Sequence, residues 1–114
     1  MTVKEAIKRA DLLRPNALGD EQKAAWLDDL DGQLAELFGT QPPTVKFPND
    51  RDLLPPAPYE EVSVLYLCAK IDYYNQDMDL YANDSAVYEA ALAEMRAWWR
   101  RTHRPNDANE KWGV

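Results

Sequence analysis

The chain has 114 residues, a net charge of −7 and a hydrophobic content of 46%. This length fits a single domain, and the hydrophobic content excludes a chain that is disordered throughout. The acidic balance excludes a protein that binds nucleic acid mainly through its phosphates, since such binding needs a basic surface.

The sequence predicts no membrane association and no disulfide. Charged residues interrupt the N-terminal apolar residues, so we expect no signal peptide, and the apolar run over 62–69 is too short to cross a bilayer. Cys68 is the only cysteine, which fits a reducing compartment.

Two helices are predicted before residue 40. Thr2 and Glu5 have the spacing of a capping box, and Pro15 ends the first helix. Asp20 is a candidate N-cap for the second helix, which Gly39 ends. Gly32 lies inside this helix, and either close packing of a neighbouring helix or a kink would account for it.

The segment 40–57 is rich in proline and predicts an extended connector arm. It also contains Val45, Phe47, Leu53 and Leu54, which a simple linker would not need. These apolar residues either fasten the connector to its own domain or dock it on a neighbouring subunit, and a short β-hairpin is an alternative structure for this stretch.

A central helix is predicted from Pro58 to Asn83, with two apolar stripes at helical spacing. Because a helix with two apolar stripes must be covered on both sides, we expect it to lie at the centre of the fold. The stripes are Val62, Leu65, Tyr66, Ala69 and Tyr73, and Val64, Leu67, Cys68, Ile71 and Met78.

A last helix is predicted from Ala86 to His103, after a short break at Asn83-Asp84-Ser85. Trp98 and Trp99 are about 100° apart around this helix, so one can face the core while the other faces outward beside Arg100 and Arg101. An exposed tryptophan beside arginines has the composition of an interface hot spot, although both tryptophans can equally belong to the core.

The fold class predicted from these elements is all-α, a small bundle of four helices around a long central helix. Residues 1–105 form one domain, with 40–57 as the connector arm, and 106–114 form a polar tail. The predicted core residues are Leu27, Leu30, Leu34, Leu65, Leu67, Cys68, Ile71, Tyr88, Leu92, Met95 and Trp99.

No catalytic, cofactor-binding or metal-binding residues are predicted. His103 is the only histidine and lacks a set of further ligands, and an apolar setting predicts that Cys68 is an inert thiol. Asp28, Asp29 and Asp31 are interpreted as a solvated helix face. The function predicted from the residues alone is therefore that of a helical interaction domain.

Several short motifs occur in an order that resembles the head–tail connector (adaptor) proteins of tailed phages and prophages. The resemblance covers nearly all of the chain except 40–52 and the tail. The motifs are Arg14-Pro15-Asn16, Trp26-Leu27, Leu30-Asp31-Gly32, Leu53-Leu54 with the following prolines, Pro58-Tyr59, Ile71-Asp72-Tyr73-Tyr74-Asn75, Asn83-Asp84-Ser85 and Arg101-Thr102-His103-Arg104-Pro105.

The resemblance implies a structural virion protein without enzymatic activity, located in the neck of the particle and assembled in the bacterial cytoplasm. It implies a ring of identical subunits between the portal protein and the next neck or tail protein, with DNA passing through the lumen without specific binding. An alternative is a small acidic adaptor or regulator that binds one host or phage protein. The candidate interface residues are Phe47, Leu53, Leu54, Trp98, Arg100, Arg101 and Trp112.

Overall fold

The computed structural model describes residues 1–103, which form four helices and no strand. The helices are α1 (Val3–Leu13), α2 (Asp20–Phe38), α3 (Glu61–Tyr74) and α4 (Met78–Thr102). The prediction of an all-α bundle of four helices is confirmed. Trp112 and the rest of the predicted tail lie outside the described residues.

The first two helices have the predicted ends, with one shift. Thr2 and Glu5 form the capping box, each accepting a hydrogen bond from the backbone amide of the other. The N-cap of α2 is Gly19, so Asp20 lies in the first turn and not at the cap. Gly39 ends α2 in the left-handed conformation, with φ 67°, which costs glycine little because it has no Cβ atom.

The connection between the last two helices is not where the sequence placed it. The break lies at Asn75-Gln76-Asp77, so residues 78–83 belong to α4 and the central helix is only 14 residues long. Gln76 has a φ of 61°, which a right-handed helix does not accommodate. The Asp77 carboxylate accepts a hydrogen bond from the Leu80 amide and caps α4. The predicted boundaries at Asn83 and Ala86 are therefore wrong.

Asn83-Asp84-Ser85 continue the helix because Asp84 is used for a different contact. Its carboxylate binds the Arg14 guanidinium and does not cap a helix. As a result, α4 has 25 residues and is the longest helix within 1–103, while α3 is the central one because it packs against α1, α2 and α4.

The core consists of two clusters on either side of α3, as the two apolar stripes predict. The first lies between α3, α1 and α2, and the second between α3, α2 and α4. The buried members of the first are Val3, Ala6, Ile7, Ala10, Ala24, Trp26, Leu27, Leu53, Val64, Leu67, Cys68 and Ile71. Those of the second are Leu30, Leu34, Val62, Leu92 and Met95.

Three residues predicted in the core are only partly buried, namely Leu65, Tyr88 and Trp99. Two others that were assigned to the stripes of the central helix, Tyr73 and Met78, are 52% and 48% exposed. They are exposed because α3 ends at Tyr74, so these side chains lie at the turn and not along a continuous helix face.

Gly32 lies in the interior of α2, where a Cβ atom would meet no other atom within 4 Å. Close packing therefore does not explain this glycine. We expect Gly32→Ala to raise the free energy of unfolding by about 1 kcal/mol, the difference in helix propensity. Urea denaturation measures the change. Gly39→Ala is a control that should lower the free energy of unfolding, because the φ of 67° at this position strains alanine. A less stable Gly32→Ala variant would contradict the prediction.

Candidate protein–protein interface

The proline-rich connector is fastened to its own domain. Leu53 is only 8% exposed and belongs to the first core cluster, against which Phe47 also packs. Leu54 packs against the second cluster. Of the two interpretations that the sequence leaves open, the structure favours the first, and these three candidate interface residues serve mainly to hold the connector in place.

A buried ion pair joins the connector to α2. Arg51 donates to Asp31 Oδ2 and to Asp28 Oδ1, both at 2.7 Å, and the Leu54 amide donates to the same Asp31 oxygen at 3.1 Å. The Asp31 side chain is fully buried, and burial raises its pKa although Arg51 opposes this shift. The interpretation of these aspartates as a solvated face is therefore wrong for Asp28 and Asp31, since both bind the connector.

The connector also pairs with the N-terminal segment. Thr2 and Asp52 form an isolated antiparallel bridge, and the Val3 amide donates to the Arg51 carbonyl at 3.0 Å. A β-hairpin does not form anywhere in 1–103. The connector therefore packs against both the N-terminal segment and α2.

The tryptophans at the end of α4 are largely engaged by their own domain. Trp98 packs against Tyr59, with ring centroids 5.2 Å apart, and Trp99 packs against Phe38 at 4.4 Å. The His103 ring stacks on Trp99 at 3.3 Å. Both tryptophans are only partly exposed, so the fully exposed groups of this predicted interface are Arg100 and Arg101.

The most exposed aromatic surface lies at the opposite end of α4, around the α3–α4 turn. Tyr73, Tyr74, Met78, Leu80 and Tyr81 are between 36% and 56% exposed, and we call this surface the tyrosine end. The Tyr73 ring lies 5.4 Å from both Tyr74 and Tyr81. Contiguous exposed apolar side chains on a small domain are typical of a protein interaction surface.

A groove of about 300 Å³ runs from the tyrosine end between α3 and α4. Tyr66, Tyr81 and Tyr88 line it together with Lys70 and Glu89. The Lys70 amine lies 5.5 Å from the centroid of the Tyr66 ring and 6.0 Å from that of Trp26, within the range of cation–π attraction. The groove therefore offers aromatic faces with one charge of each sign.

Sequence reasoning missed the tyrosine end because it placed Tyr73 and Met78 on the core faces of one long helix. The signal that could have found it is Asp77, which has the N-cap residue type directly before Met78-Asp79-Leu80. Starting a helix there leaves Tyr73 and Tyr74 at the end of α3, where fewer neighbours can cover them.

A buried charged cluster holds α1 against the base of the tyrosine end. Arg14 donates through Nε and Nη2 to the two carboxylate oxygens of Asp84, at 2.9 and 3.0 Å. The same Nε lies 3.2 Å from Asp72 Oδ1. Burial, and then the neighbouring Asp84, raise the pKa of Asp72 to about 7. One arginine thus faces two carboxyl groups, and Asp72 keeps its proton well above the usual pH.

The remaining reactive groups do not converge. Burial raises the pKa of the Cys68 thiol to about 11, which makes it a poor nucleophile. Across residues 1–103, no group of three or more His, Cys, Asp or Glu side chains is placed to hold a metal ion. Nor does any helix of this range have the length and apolar character needed to cross a membrane.

Comparison of the chain with protein-family models, with curated proteins and with solved structures finds no match.

Proposed function

We propose that this chain is a structural subunit that assembles with copies of itself into a head–tail connector ring of a tailed phage or prophage. The ring would join the portal protein to the next neck or tail protein, and the subunit would have no enzymatic activity. Support comes from the order of motifs that resembles the connector family.

The observation that carries the proposal is the tyrosine end. Residues 1–103 have two closed core clusters and a fastened connector, yet they leave Tyr73, Tyr74 and Met78 about half exposed. Since the fold does not need these side chains to be exposed, their exposure favours a partner chain that covers them in an assembly.

The acidic charge supports a passive role toward DNA. With a net charge of −7, the subunit as a whole repels phosphates, so DNA can slide past a ring of such subunits without sticking. The ring would lie in the neck of the virion and would form in the bacterial cytoplasm during assembly.

The alternative is a single-partner adaptor that binds through the end of α4 with Trp98, Trp99, Arg100 and Arg101, here called the Trp-Arg end, and it has less support. Trp98 and Trp99 pack on Tyr59 and Phe38 of their own domain. This end therefore lacks the fully exposed aromatic anchor that hot-spot binding needs.

The test is native mass spectrometry with electron microscopy of the chain alone and after mixing with the portal protein encoded in the same phage genome. We expect a ring on the portal even if the isolated chain is monomeric. A chain that stays monomeric and never joins the portal would refute the proposal, and a one-to-one complex without a ring would favour the adaptor.

A double substitution tests the tyrosine end directly. We expect Tyr73→Ser with Tyr74→Ser to abolish assembly, because these residues supply the largest exposed aromatic area. Val45→Ser is the matched control, since Val45 is 43% exposed but lies in the connector. Circular dichroism and thermal unfolding show whether each variant is folded. A folded double variant that assembles normally contradicts the role of the tyrosine end.

A further inference from the structure

The two ends of α4 have opposite charges that form no ion pair within the described subunit, although the Asp77 carboxylate also caps the helix. Asp77 and Asp79 lie at its start, and Arg96, Arg100 and Arg101 lie near its end. None of these five residues forms an ion pair with another residue of 1–103. The helix separates the two ends by roughly 35 Å, so they cannot pair with each other in one subunit.

The acidic end projects an apolar tip. Met78 is 48% exposed between Asp77 and Asp79, and Tyr73 and Tyr74 lie beside it. The helix dipole explains why acids suit the start of α4, but it gives no reason to expose Met78 and the tyrosines. The tip is thus an apolar projection with an acidic rim.

The basic end has a cleft of the opposite character. A cleft of about 200 Å³ runs along α4, lined by Leu92 and Ala93 and flanked by Glu89, Arg96 and Arg100. Leu92 is 8% exposed and closes its floor against the second core cluster. This surface is an open recess on one face of α4, with a small apolar floor and a mainly basic rim.

From this complementarity of charge, we propose that the α3–α4 tip of one subunit docks in the α4 cleft of a second copy of the chain. The contact joins different surfaces of the two copies, so each copy keeps a free tip or a free cleft for the next. A head-to-tail contact of this kind closes into a ring when the rotation permits. This inference rests on the proposed function and names the surfaces that would form the ring.

Disulfide trapping between two variants, each with one added cysteine, tests the contact. One protein has Met78→Cys and the other has Ala93→Cys with an affinity tag, so that the mixed dimer has a distinct mass. In one chain these positions are about 22 Å apart along α4, whereas a disulfide needs Cα atoms within about 7 Å, so the bond must join two copies. The native Cys68 is buried and does not compete.

We expect the mixed dimer to form roughly ten times more than with the matched control Val87→Cys. Val87 is 45% exposed on the same helix, but it lies about 120° around the axis from Ala93. The reaction is run on the chain alone at high concentration and again with the portal protein. Equal yields from Val87→Cys and Ala93→Cys, or no mixed dimer in either reaction, would overturn the inference.

Charge reversal separates a specific contact from random collision. Adding Asp79→Arg to the Met78→Cys protein should lower the yield of mixed dimer by roughly tenfold, and adding Arg100→Asp to the Ala93→Cys protein should restore it. If the yield of mixed dimer stays the same after both substitutions, the proposed docking is overturned. If the wild-type chain forms rings on the portal but the Met78→Cys and Ala93→Cys proteins form no 78–93 disulfide there, this inference fails and the proposed function stands. If no assembly forms at all, both fail.

Discussion

Replacing Arg51 with methionine is expected to lower the free energy of unfolding by about 3–5 kcal/mol. The Arg51 side chain is 8% exposed and Asp31 is fully buried, so the substitution leaves a carboxyl group in the interior without its partner. Methionine keeps much of the aliphatic volume, so most of the loss comes from the charge. Urea denaturation at pH 7 measures the change.

Two variants show whether the buried pair is responsible. Lys46→Met removes a cation that lies 3.5 Å from Asp28 but is 64% exposed, and it should cost less than about 1 kcal/mol. Combining Arg51→Met with Asp31→Leu should regain much of the stability, since an apolar pair can replace a buried ion pair. An Arg51→Met variant as stable as Lys46→Met would show that other contacts hold the connector.

The fastened connector changes where partner contacts are expected. Proline-rich stretches predict a chain without helix, and 40–57 has neither helix nor strand, but sequence alone does not tell which surface it follows. Arg51, Asp28 and Asp31 decide this, and they are separated by about 20 residues along the chain. Contacts between residues so far apart in the sequence depend on how α2 and the connector are placed in space. Local sequence patterns do not contain this information.

Fold class and core were predictable because they follow from periodicity. Leu67 and Ile71 face one cluster and Val62 faces the other, as the two stripes require. The turn between α3 and α4 was misplaced because two candidate breaks compete, one at Asn75-Gln76-Asp77 and one at Asn83-Asp84-Ser85. Both contain helix-capping residue types, and in the structure Asp77 caps α4 whereas Asp84 pairs with Arg14.

The same error hid the surface that now carries the functional proposal. With the turn at residue 83, Tyr73 and Met78 lie on the core faces of a long helix, and with the turn at residue 76 they lie at its exposed end. The candidate interface therefore moved from the Trp-Arg end and the connector to the tyrosine end. In a helical hairpin, the exposure of a side chain depends on where the turn falls as much as on the apolar pattern.

Replacing Arg14 with methionine is expected to destabilise the protein by about 3–5 kcal/mol at pH 8 and by less at pH 5. Asp72 is 1% exposed and Asp84 is 6% exposed, and Arg14 is the cation between them. At pH 5 Asp72 holds its proton, because its pKa in the folded protein is about 7. Arg14 attracts Asp72 only when Asp72 is ionised, so at pH 8 the substitution removes this attraction as well and costs more than at pH 5.

The pH dependence of the wild-type protein has a defined sign. An unfolded Asp72 loses its proton near pH 3.8, while the folded residue keeps it until about pH 7. The stabilisation from this proton is therefore complete below pH 3.8, and it is lost as the pH rises through 7. From pH 5 to pH 8, this group should lower the free energy of unfolding by on the order of 2 kcal/mol.

Asp72→Asn isolates this contribution, because asparagine has a similar shape and stays neutral at every pH. Urea denaturation should show that the free energy of unfolding falls less from pH 5 to pH 8 in Asp72→Asn than in the wild type. Arg9→Met, which removes an exposed arginine from α1, the helix that Arg14 follows as C-cap, is the matched control for Arg14→Met and should cost less than about 1 kcal/mol at both pH values. If Asp72→Asn keeps the full pH dependence, Asp72 is already ionised at pH 5, and Arg14→Met should then cost the same at both pH values.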